Sequence, residues 1–287
     1  MEQQGLRAYE GAVAIVTGAA SGLGRALSME LAWSGAEIVL ADVQIDAARE
    51  AAKEINRAGG KATAAELDVR DFKAVDRLVK ETAERTGRLD YMFNNAGIAI
   101  GGFCHRFQIE DWHQMLDVNL KGVINGMHAT YPLMLKQGFG HIVNTGSVAG
   151  LIPGPAAYSA TKFGIVGVSL SLRTEAEPRN VRVSVVCPGA IRSAMIDGGG
   201  KFGKNYDVPD DIMEEYWKQY NPTDPDFMAR DVLKKVAKNE AVIFSPGYWA
   251  IFWWIYRLVP SFTAKVGKKR YADILEKLKA RGINVYE

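Results

Sequence analysis

The sequence is poor in cysteine and has no excess of either charge. Only Cys104 and Cys187 occur among its 287 residues, and both stand in apolar surroundings. We therefore expect two buried structural thiols in a reducing compartment rather than a disulfide framework. The 35 basic and 33 acidic residues give a formal net charge of +2. With so little net charge, no whole-chain field favours binding to nucleic acid.

Metal-ligand spacings and a targeting segment are also missing. The four histidines fall on different predicted elements, and none pairs with another histidine or a cysteine at the spacing of a metal site. Residues 1–10 carry Glu2, Arg7 and Glu10 and lack the apolar region of a signal peptide. We therefore expect no catalytic metal and a cytoplasmic protein.

Short β-branched runs alternate with helical patterns through most of the chain. This alternation predicts an α/β fold, in which a doubly wound (Rossmann-type) parallel sheet carries helices on both faces. The predicted strands span residues 13–17, 37–41, 62–67, 89–93, 141–144, 181–186 and 241–244. The predicted helices span residues 23–33, 45–58, 72–85, 119–136, 158–175 and 226–238.

The chain length suits a single large domain. We predict a dinucleotide-binding and catalytic domain over residues 1–245 and a C-terminal aromatic and basic extension over residues 246–287. Residues 194–227 contain three consecutive glycines, three prolines and several aromatic residues. This composition favours a flap over a substrate site rather than core.

A glycine-rich turn at residues 17–24 follows the first predicted strand and opens a helix. Glycines let the backbone approach a pyrophosphate closely, and the free amides of the following helix attract its negative charge. Asp42 ends the next strand, 20 residues beyond Gly22, and Val43 follows it without a positive charge. A carboxylate there accepts hydrogen bonds from the adenosine ribose and repels a 2′-phosphate. The pattern predicts NAD as the cofactor, in preference to NADP.

A tyrosine and a lysine stand four positions apart at the start of a predicted helix, hence on one face. The phenol of Tyr158, with an ordinary pKa near 10, is a poor base at neutral pH and needs a nearby positive charge. The ammonium of Lys162 at about 4 Å, with an effective dielectric constant of about 20, would supply about 4 kcal/mol. That corresponds to roughly three pKa units, which predicts a pKa of about 7 before desolvation opposes it. Ser147 follows the fifth predicted strand, where the ligand crevice of such a sheet opens.

The glycine spacing at positions 18, 22 and 24 resembles that of the short-chain dehydrogenase/reductase family. Over about residues 17–193 the resemblance recurs in an adenine-contacting pair at 68–69, a cofactor-lining turn at 94–97 and a Pro-Gly turn at 188–189. The family's cofactor contacts then fall on Gly18, Ser21, Gly22, Leu23, Gly24, Asp42, Asp68, Val69, Asn95, Ala96, Gly97, Tyr158, Lys162, Pro188, Gly189, Ile191 and Ser193.

The resemblance also implies the catalytic roles. Tyr158 is the general acid/base, Ser147 orients and polarises the substrate oxygen, and Lys162 lowers the tyrosine pKa and binds the nicotinamide ribose. Asn119 matches the family's helix asparagine and completes a proton relay. Two departures stand out: Ser193 occupies a position where threonine is usual, and Ser147 and Tyr158 are only 11 positions apart. Substrate analogies through the shortened loop at 151–157 are therefore doubtful.

An aromatic run at residues 247–260 departs from the family pattern. It is too short for a transmembrane helix of about 20 residues, and Arg257 and Pro260 interrupt it. Three interpretations stay open: a lid and subunit interface, a wall of an apolar substrate pocket, or a peripheral membrane anchor. In the third, anionic headgroups would meet the basic residues that follow, which are Lys265, Lys268, Lys269 and Arg270.

The sequence therefore predicts an NAD-dependent oxidoreductase that acts on an apolar secondary alcohol or ketone, as a homodimer or homotetramer. By family resemblance, the subunits would pack through the helices that contain Asn119 and Tyr158. One alternative is an NADPH-dependent ketoreductase, and Asp42 discriminates against it. Others are a non-catalytic nucleotide-sensing module, which the intact Ser147, Tyr158 and Lys162 disfavour, and an epimerase or dehydratase, which usually carries a larger substrate domain.

Overall fold

Seven parallel strands form one sheet, in the order β3-β2-β1-β4-β5-β6-β7. The computed structural model describes residues 7–193, 206 and 208–284. The strands are β1 (Val13–Thr17), β2 (Glu37–Asp42), β3 (Lys61–Glu66), β4 (Tyr91–Asn94), β5 (Gly140–Thr145), β6 (Val181–Pro188) and β7 (Val242–Ser245). The predicted α/β fold is confirmed, and no predicted strand end is off by more than two residues.

Helices cover both faces of the sheet. They are α1 (Gly22–Trp33), α2 (Ile45–Arg57), α3 (Phe72–Thr86), α4 (Ile109–Met115), α5 (Gly122–Gln137), α6 (Ala156–Ala176), α7 (Asp210–Lys218), α8 (Pro225–Ala237), α9 (Trp249–Leu258) and α10 (Pro260–Ala280). Strand β1 shows why both faces need a cover, because all five of its residues are buried. Ala14 and Val16 pack in the core that α1, α2 and α8 share. Val13 and Ile15 pack in the opposite core, with α3, α5 and α6.

The order of the strands reverses beside β1, which pairs with β2 on one side and with β4 on the other. The connections from β1 and β4 therefore leave toward opposite faces, and a crevice opens at the carboxyl ends of these strands. The glycine-rich turn follows β1, and the turn at residues 94–97 follows β4. The fold thus brings both predicted cofactor segments to one edge of the sheet.

The helical region around Asn119 begins ten residues earlier than the predicted helix. Helix α4 starts at Ile109 with a capping box between Gln108 and Asp111. It continues into a π-helical stretch, Leu116–Lys121, and then into α5. Helix α4 buries only Asp111 and Met115, so its sequence carries too little apolar periodicity to predict it.

The C-terminal extension folds as two helices. Trp253 of α9 packs on Phe244 of β7, with ring centres 5.6 Å apart. Helix α10 packs on α7 through the buried Leu278 and Ile212. An ion pair between Lys277 and Glu215, 2.6 Å long, joins the same two helices. No helix in the part of the chain that the structure describes is long and apolar enough to cross a membrane.

The two cysteines differ from the prediction that both are buried. Cys187 is buried in β6, and burial raises the pKa of its thiol to about 12. Cys104 is exposed, so the prediction was wrong for this thiol. The reason is local, because Cys104 lies in a short 3-10 turn, Cys104–Arg106, in the connection between β4 and α4. The described residues contain no group of three or more histidine, cysteine, aspartate or glutamate side chains placed to hold a metal ion.

The predicted substrate flap lies only partly within the structure. Residues 194–205 and 207 are outside the described residues. The remainder includes the whole of α7 and the first turn of α8. Ile191, which precedes the segment, forms an isolated bridge with Thr223 near its C-terminal end.

Candidate active site

A cavity of about 1290 Å³ lies at the carboxyl ends of the strands and reaches the C-terminal extension. It exceeds the roughly 300–1,000 Å³ of most small-molecule sites, as a pocket for two ligands would. Two predicted site residues, Gly24 and Asn119, are not part of its wall. The predicted residues that line it are Gly18, Ser21, Gly22, Leu23, Asp42, Asp68, Val69, Asn95, Ala96, Gly97, Ser147, Tyr158, Lys162, Pro188, Gly189, Ile191 and Ser193.

The glycine-rich turn has the geometry of an anion cradle. Gly18 and Gly22 adopt φ values of +66° and +51°, which L side chains rarely adopt. A Cβ atom on Gly24 would lie 2.1 Å from the Gly18 carbonyl oxygen, so α1 packs directly on the turn. The side chain of Ser21 does not cap α1. The first amides of the helix therefore remain available to a phosphate group, and the site fits a dinucleotide.

Asp42 connects the end of β2 to this turn. Its carboxylate is buried, with Oδ2 accepting from the Ala20 amide at 2.9 Å and Oδ1 accepting from the Gln44 amide at 2.8 Å. The carboxylate also contributes to the cavity wall. These two hydrogen bonds hold a negative charge at the predicted adenosine end of the site.

The same end of the cavity contains one arginine. Arg70 donates from Nε and Nη2 to Asp68 Oδ2, at 2.9 and 2.6 Å. This fork lowers the pKa of the Asp68 carboxyl, chiefly through the hydrogen bond itself. The arginine charge is therefore already neutralised beside the predicted adenine contacts.

Side-chain amides fix the turn at residues 94–97 against its neighbours. Asn94 Nδ2 donates to Asn144 Oδ1 at 2.8 Å, which ties β4 to β5. Asn95 Nδ2 donates to the Thr17 carbonyl at 3.0 Å, and the Thr17 hydroxyl accepts from the amides of Asn95 and Ala96. The two cofactor segments therefore form one connected unit.

Tyr158, Ser147 and Lys162 line the same cavity as the glycine-rich turn. Burial raises the pKa of the Tyr158 phenol to about 12, and a hydrogen bond with the Ser147 hydroxyl opposes this rise. Ser147 Oγ also accepts from the Ala149 amide at 3.1 Å. This second hydrogen bond orients the serine hydroxyl.

Desolvation, which the expected value near 7 left out, has the larger effect on the pKa of Tyr158 in this structure. Lys162 Nζ donates to the Thr145 carbonyl at 2.9 Å and lies 5.4 Å from the centre of the Tyr158 ring. The ammonium is itself buried, and burial lowers its pKa to about 8. Burial thus disfavours the charged form of each group of the pair.

Asn119 is fully buried within the π-helical stretch. Its Nδ2 donates to the Ile98 carbonyl at 2.9 Å and to Thr161 Oγ1 at 3.2 Å, and its Oδ1 accepts from the Ile98 amide at 2.8 Å. A Cβ atom on Gly97 would lie 3.3 Å from Asn119 Oδ1 and 3.7 Å from Lys162 Nζ. The asparagine thus lies behind the cavity wall and close to the lysine, and its relay role stays a prediction.

Trp249 is a site residue that the sequence reasoning did not single out. A Cβ atom on Gly189 would lie 2.1 Å from the indole Nε1, so only glycine fits beneath this ring. The stacked ring of Tyr220 lies 6.3 Å away, which connects α9 to the end of α7. The signal was present in the helical spacing of Trp249, Phe252 and Tyr256, which share one face and all line the cavity.

The extension therefore forms one wall of the cavity. This agrees with the second interpretation of the aromatic run, a wall of a pocket. The opposite face of α9 is exposed: Ile251, Trp254 and Leu258 are 62, 54 and 75% accessible. Peripheral membrane contact through this face stays a prediction.

The glycine cradle at the reversal of strand order, next to the half-buried Tyr158 and the buried Lys162, defines a nucleotide-dependent oxidoreductase site. The family model for short chain dehydrogenase matches residues 12–200. The chain belongs to the short-chain dehydrogenase/reductase family, as the resemblance predicted. It is therefore an oxidoreductase that uses NAD(H) or NADP(H).

Three known proteins illustrate the similarity. The chain is 37% identical over 190 residues to the 3-oxoacyl-[acyl-carrier-protein] reductase FabG of Thermotoga maritima, covering 66% of this chain and 77% of that protein. The structure of a family member from Burkholderia phymatum in complex with NAD has a TM-score of 0.78 and 25% identity, covering 89% of this chain and 96% of that one. A Beutenbergia cavernae structure with bound NADP has a TM-score of 0.72 and 27% identity, covering 84% of this chain and 98% of that one.

Proposed function

We propose that this protein transfers a hydride between NAD(H) and an apolar secondary alcohol or ketone, with Tyr158 as general acid/base. The observation that carries the proposal is that Tyr158, Ser147 and Lys162 line one cavity with the glycine cradle and Asp42. Residues 1–245 would form the dinucleotide-binding and catalytic domain. The extension at 246–287 would contribute to the substrate site.

Each polar side chain has a distinct task in this proposal. The hydroxyl of Ser147, oriented by the Ala149 amide, binds the substrate oxygen. The phenolate form of Tyr158 accepts the hydroxyl proton in oxidation, and the resulting phenol returns it in reduction. Lys162, held by the Thr145 carbonyl, places a positive charge where it favours the phenolate. A bound nicotinamide supplies the hydride acceptor or donor, while the protein supplies alignment and electrostatics.

The preference for NAD rests on two charges at the adenosine end. The buried Asp42 carboxylate would repel a 2′-phosphate, and Arg70 is already paired with Asp68. The competing proposal is an NADPH-dependent ketoreductase, because the Thermotoga maritima relative is named a reductase and Arg70 lines the cavity. A non-catalytic sensing module is disfavoured by the complete Ser147, Tyr158 and Lys162 set.

An apolar substrate is proposed from the wall opposite the catalytic residues. Tyr216, Trp217, Trp249, Phe252 and Tyr256 all line the cavity there. Aromatic rings bury large areas and favour bulky apolar ligands. The homodimer or homotetramer remains a proposal, and its support is the family together with Ile124 and Phe163, which are 43 and 44% exposed on α5 and α6.

Turnover by a Tyr158→Phe variant tests the proposal. We expect oxidation of a panel of secondary alcohols with NAD to fall by roughly 10²- to 10⁴-fold, with the dissociation constant of NADH nearly unchanged. Tyr131→Phe is the matched control, because this tyrosine on α5 hydrogen-bonds Glu175 and does not line the cavity. Equal turnover by the two variants would refute the role of Tyr158. Cofactor binding without turnover by the wild type on any alcohol or ketone would favour the sensing module.

A further inference from the structure

The cavity has a second part beyond the catalytic residues, which we term the outer compartment. Helices α7, α9 and α10 surround it, and aromatic rings dominate its wall. These rings are Tyr216, Trp217, Tyr220, Phe252, Tyr256 and Tyr271. A compartment of this kind suits a large apolar group, which the proposed function already assigns to the substrate.

Two cations stand at the rim of the outer compartment. Lys268 and Arg270 of α10 line the cavity, and both are exposed. Among the lining residues that the structure describes, the carboxylates are Asp42 and Asp68, and both lie at the opposite, adenosine end. The charged side chains at the rim of the outer compartment are therefore positive.

The two rim cations differ from others on the same C-terminal segment. Lys277 pairs with Glu215, and Arg281 pairs with Asp211, so carboxylates of α7 neutralise both. Neither Lys268 nor Arg270 has a carboxylate partner among the described residues. Their charges are thus available to a ligand.

Arg270 is also held in place. Its Nη1 donates to Tyr220 Oη at 2.8 Å, and its guanidinium carbon lies 4.9 Å from the centre of the Tyr220 ring. Stacking on an aromatic face orients a guanidinium and leaves other N–H groups free to bind an anion in a forked arrangement. An arginine fixed on the wall of an apolar compartment is a ready donor for a carboxylate or phosphate.

The position of the neighbouring lysines sharpens this interpretation. Lys265 and Lys269 belong to the same basic cluster but do not line the cavity. At 100° per residue they fall on the side of α10 opposite its cavity-lining residues Gly267, Tyr271 and Ile274, whereas Lys268 and Arg270 lie at the two edges of the lining face. The cluster that suggested lipid headgroups from the sequence is therefore divided, and two of its members face the substrate route.

We propose that the outer compartment binds an amphipathic substrate, with the apolar body of the molecule between the aromatic rings and an anionic end at Lys268 and Arg270. This inference rests on the proposed function, and it narrows the substrate class to secondary alcohols or ketones that end in a carboxylate or phosphate. Reaction at the catalytic centre and recognition at the rim then occur on one extended molecule.

Matched acid and amide substrates test the inference. The probes are hydroxyoctadecanoic acids with the hydroxyl at successive chain positions, and their primary amides, below their aggregation concentrations. We expect the wild type to show a KM about tenfold lower for the best acid than for its amide, with similar kcat. The Lys268→Gln/Arg270→Gln double variant should remove this difference, and salt should weaken it in the wild type.

The control is the Lys265→Gln/Lys269→Gln double variant, which removes the same charge from the same helix. It should retain the preference for the acid. Equal effects of the two double variants would overturn the inference, because general attraction by a basic helix would then explain the preference. An equal KM for acid and amide in the wild type would also overturn it. The corresponding hydroxyalkyl phosphates, which carry a terminal phosphate in place of the carboxylate and keep the secondary hydroxyl free, show which anion binds more tightly at the rim.

A binding measurement separates this inference from the proposed function. Quenching of tryptophan fluorescence by the hydroxy acids and amides, with NADH present, reports binding without turnover. In one outcome no substrate is oxidised, but the acids bind about tenfold more tightly than the amides, and substitution of Lys268 and Arg270 removes this difference. The proposed function then fails and the anion site stands. If the acids are oxidised but acid and amide bind equally, the anion site fails and the proposed function stands.

Discussion

At the scale of single residues, the proposed function gives the Asp42 carboxylate a selective task in addition to its structural one. Both carboxylate oxygens accept hydrogen bonds from backbone amides, those of Ala20 and Gln44. The side chain therefore cannot rotate away from the proposed adenosine end of the cavity. A fixed negative charge there penalises a 2′-phosphate more than a mobile one would, because the carboxylate cannot avoid the repulsion.

Asp42→Asn removes this charge and retains the size of the side chain. We expect the ratio of the NADPH to NADH dissociation constants to fall by about tenfold or more, because the repulsion is lost and one amide acceptor remains. Fluorescence titration of the two reduced cofactors measures the ratio. Asp46→Asn is the control, because Asp46 is exposed in the first turn of α2 and does not line the cavity. An unchanged ratio in Asp42→Asn would remove the basis for assigning NAD.

The tyrosine shows what the sequence could not reveal at this scale. Its spacing from Lys162 correctly placed both side chains in one cavity. The effect of desolvation on its pKa could not be predicted, because the burial of the phenol and the hydrogen bond from Lys162 to the Thr145 carbonyl depend on distant segments. Distance and desolvation are properties of the folded chain, and a local pattern does not contain them.

At the scale of elements, β5 contains a buried histidine that makes folding sensitive to acid. His141 Nε2 and Ser184 Oγ of β6 are 2.9 Å apart. Burial, together with the smaller effect of the charges of Arg182 and Arg173, lowers the pKa of His141 to about 3. The folded protein therefore keeps this ring neutral, whereas the unfolded chain protonates it near pH 6.5.

The sign of the pH dependence follows from this difference. Below about pH 6.5 the unfolded chain binds a proton that the folded chain excludes, so the free energy of unfolding falls as the pH falls toward 3. The slope should approach ~1.4 kcal/mol per pH unit from this group alone. Urea unfolding between pH 7 and about pH 5, where carboxylates are still mostly ionised, measures it.

His141→Gln should lower the free energy of unfolding at pH 7 but reduce its decline toward pH 5. The comparison variant is His128→Gln, because His128 is exposed on α5. It should retain the wild-type slope. A slope in His141→Gln as steep as in His128→Gln would show that other groups cause the decline.

The strands and most helices could be predicted because their periodicity is local. Strand β1 is a continuous apolar run, and α2 shows a clear apolar stripe at Ala48, Ala52 and Ile55. Helices α4, α7, α9 and α10 were not predicted. The start of the helical region before Asn119 was also missed, since the contacts that hold this asparagine, with Ile98 and Thr161, lie far away in the sequence.

At the scale of the whole molecule, the cavity joins two regions of different origin. The proposed catalytic and cofactor residues lie within residues 12–200, which match the family model. The aromatic wall comes from α7 and the C-terminal helices, which lie outside that match. The family pattern therefore predicted the chemistry, whereas the direction in which α9 presents its aromatic rings needed the tertiary structure. Trp249 over Gly189 is the contact that connects the two regions.

Transfer of an isotopic label tests the proposed chemistry most directly. The wild type is incubated with NAD and a secondary alcohol that carries deuterium on the carbinol carbon, and the reduced cofactor is analysed by mass spectrometry. We predict NADH with one deuterium atom from the wild type and only trace product from Tyr158→Phe. Reduced cofactor without deuterium, or the same labelled yield from Tyr158→Phe, would contradict hydride transfer with Tyr158 as the acid/base.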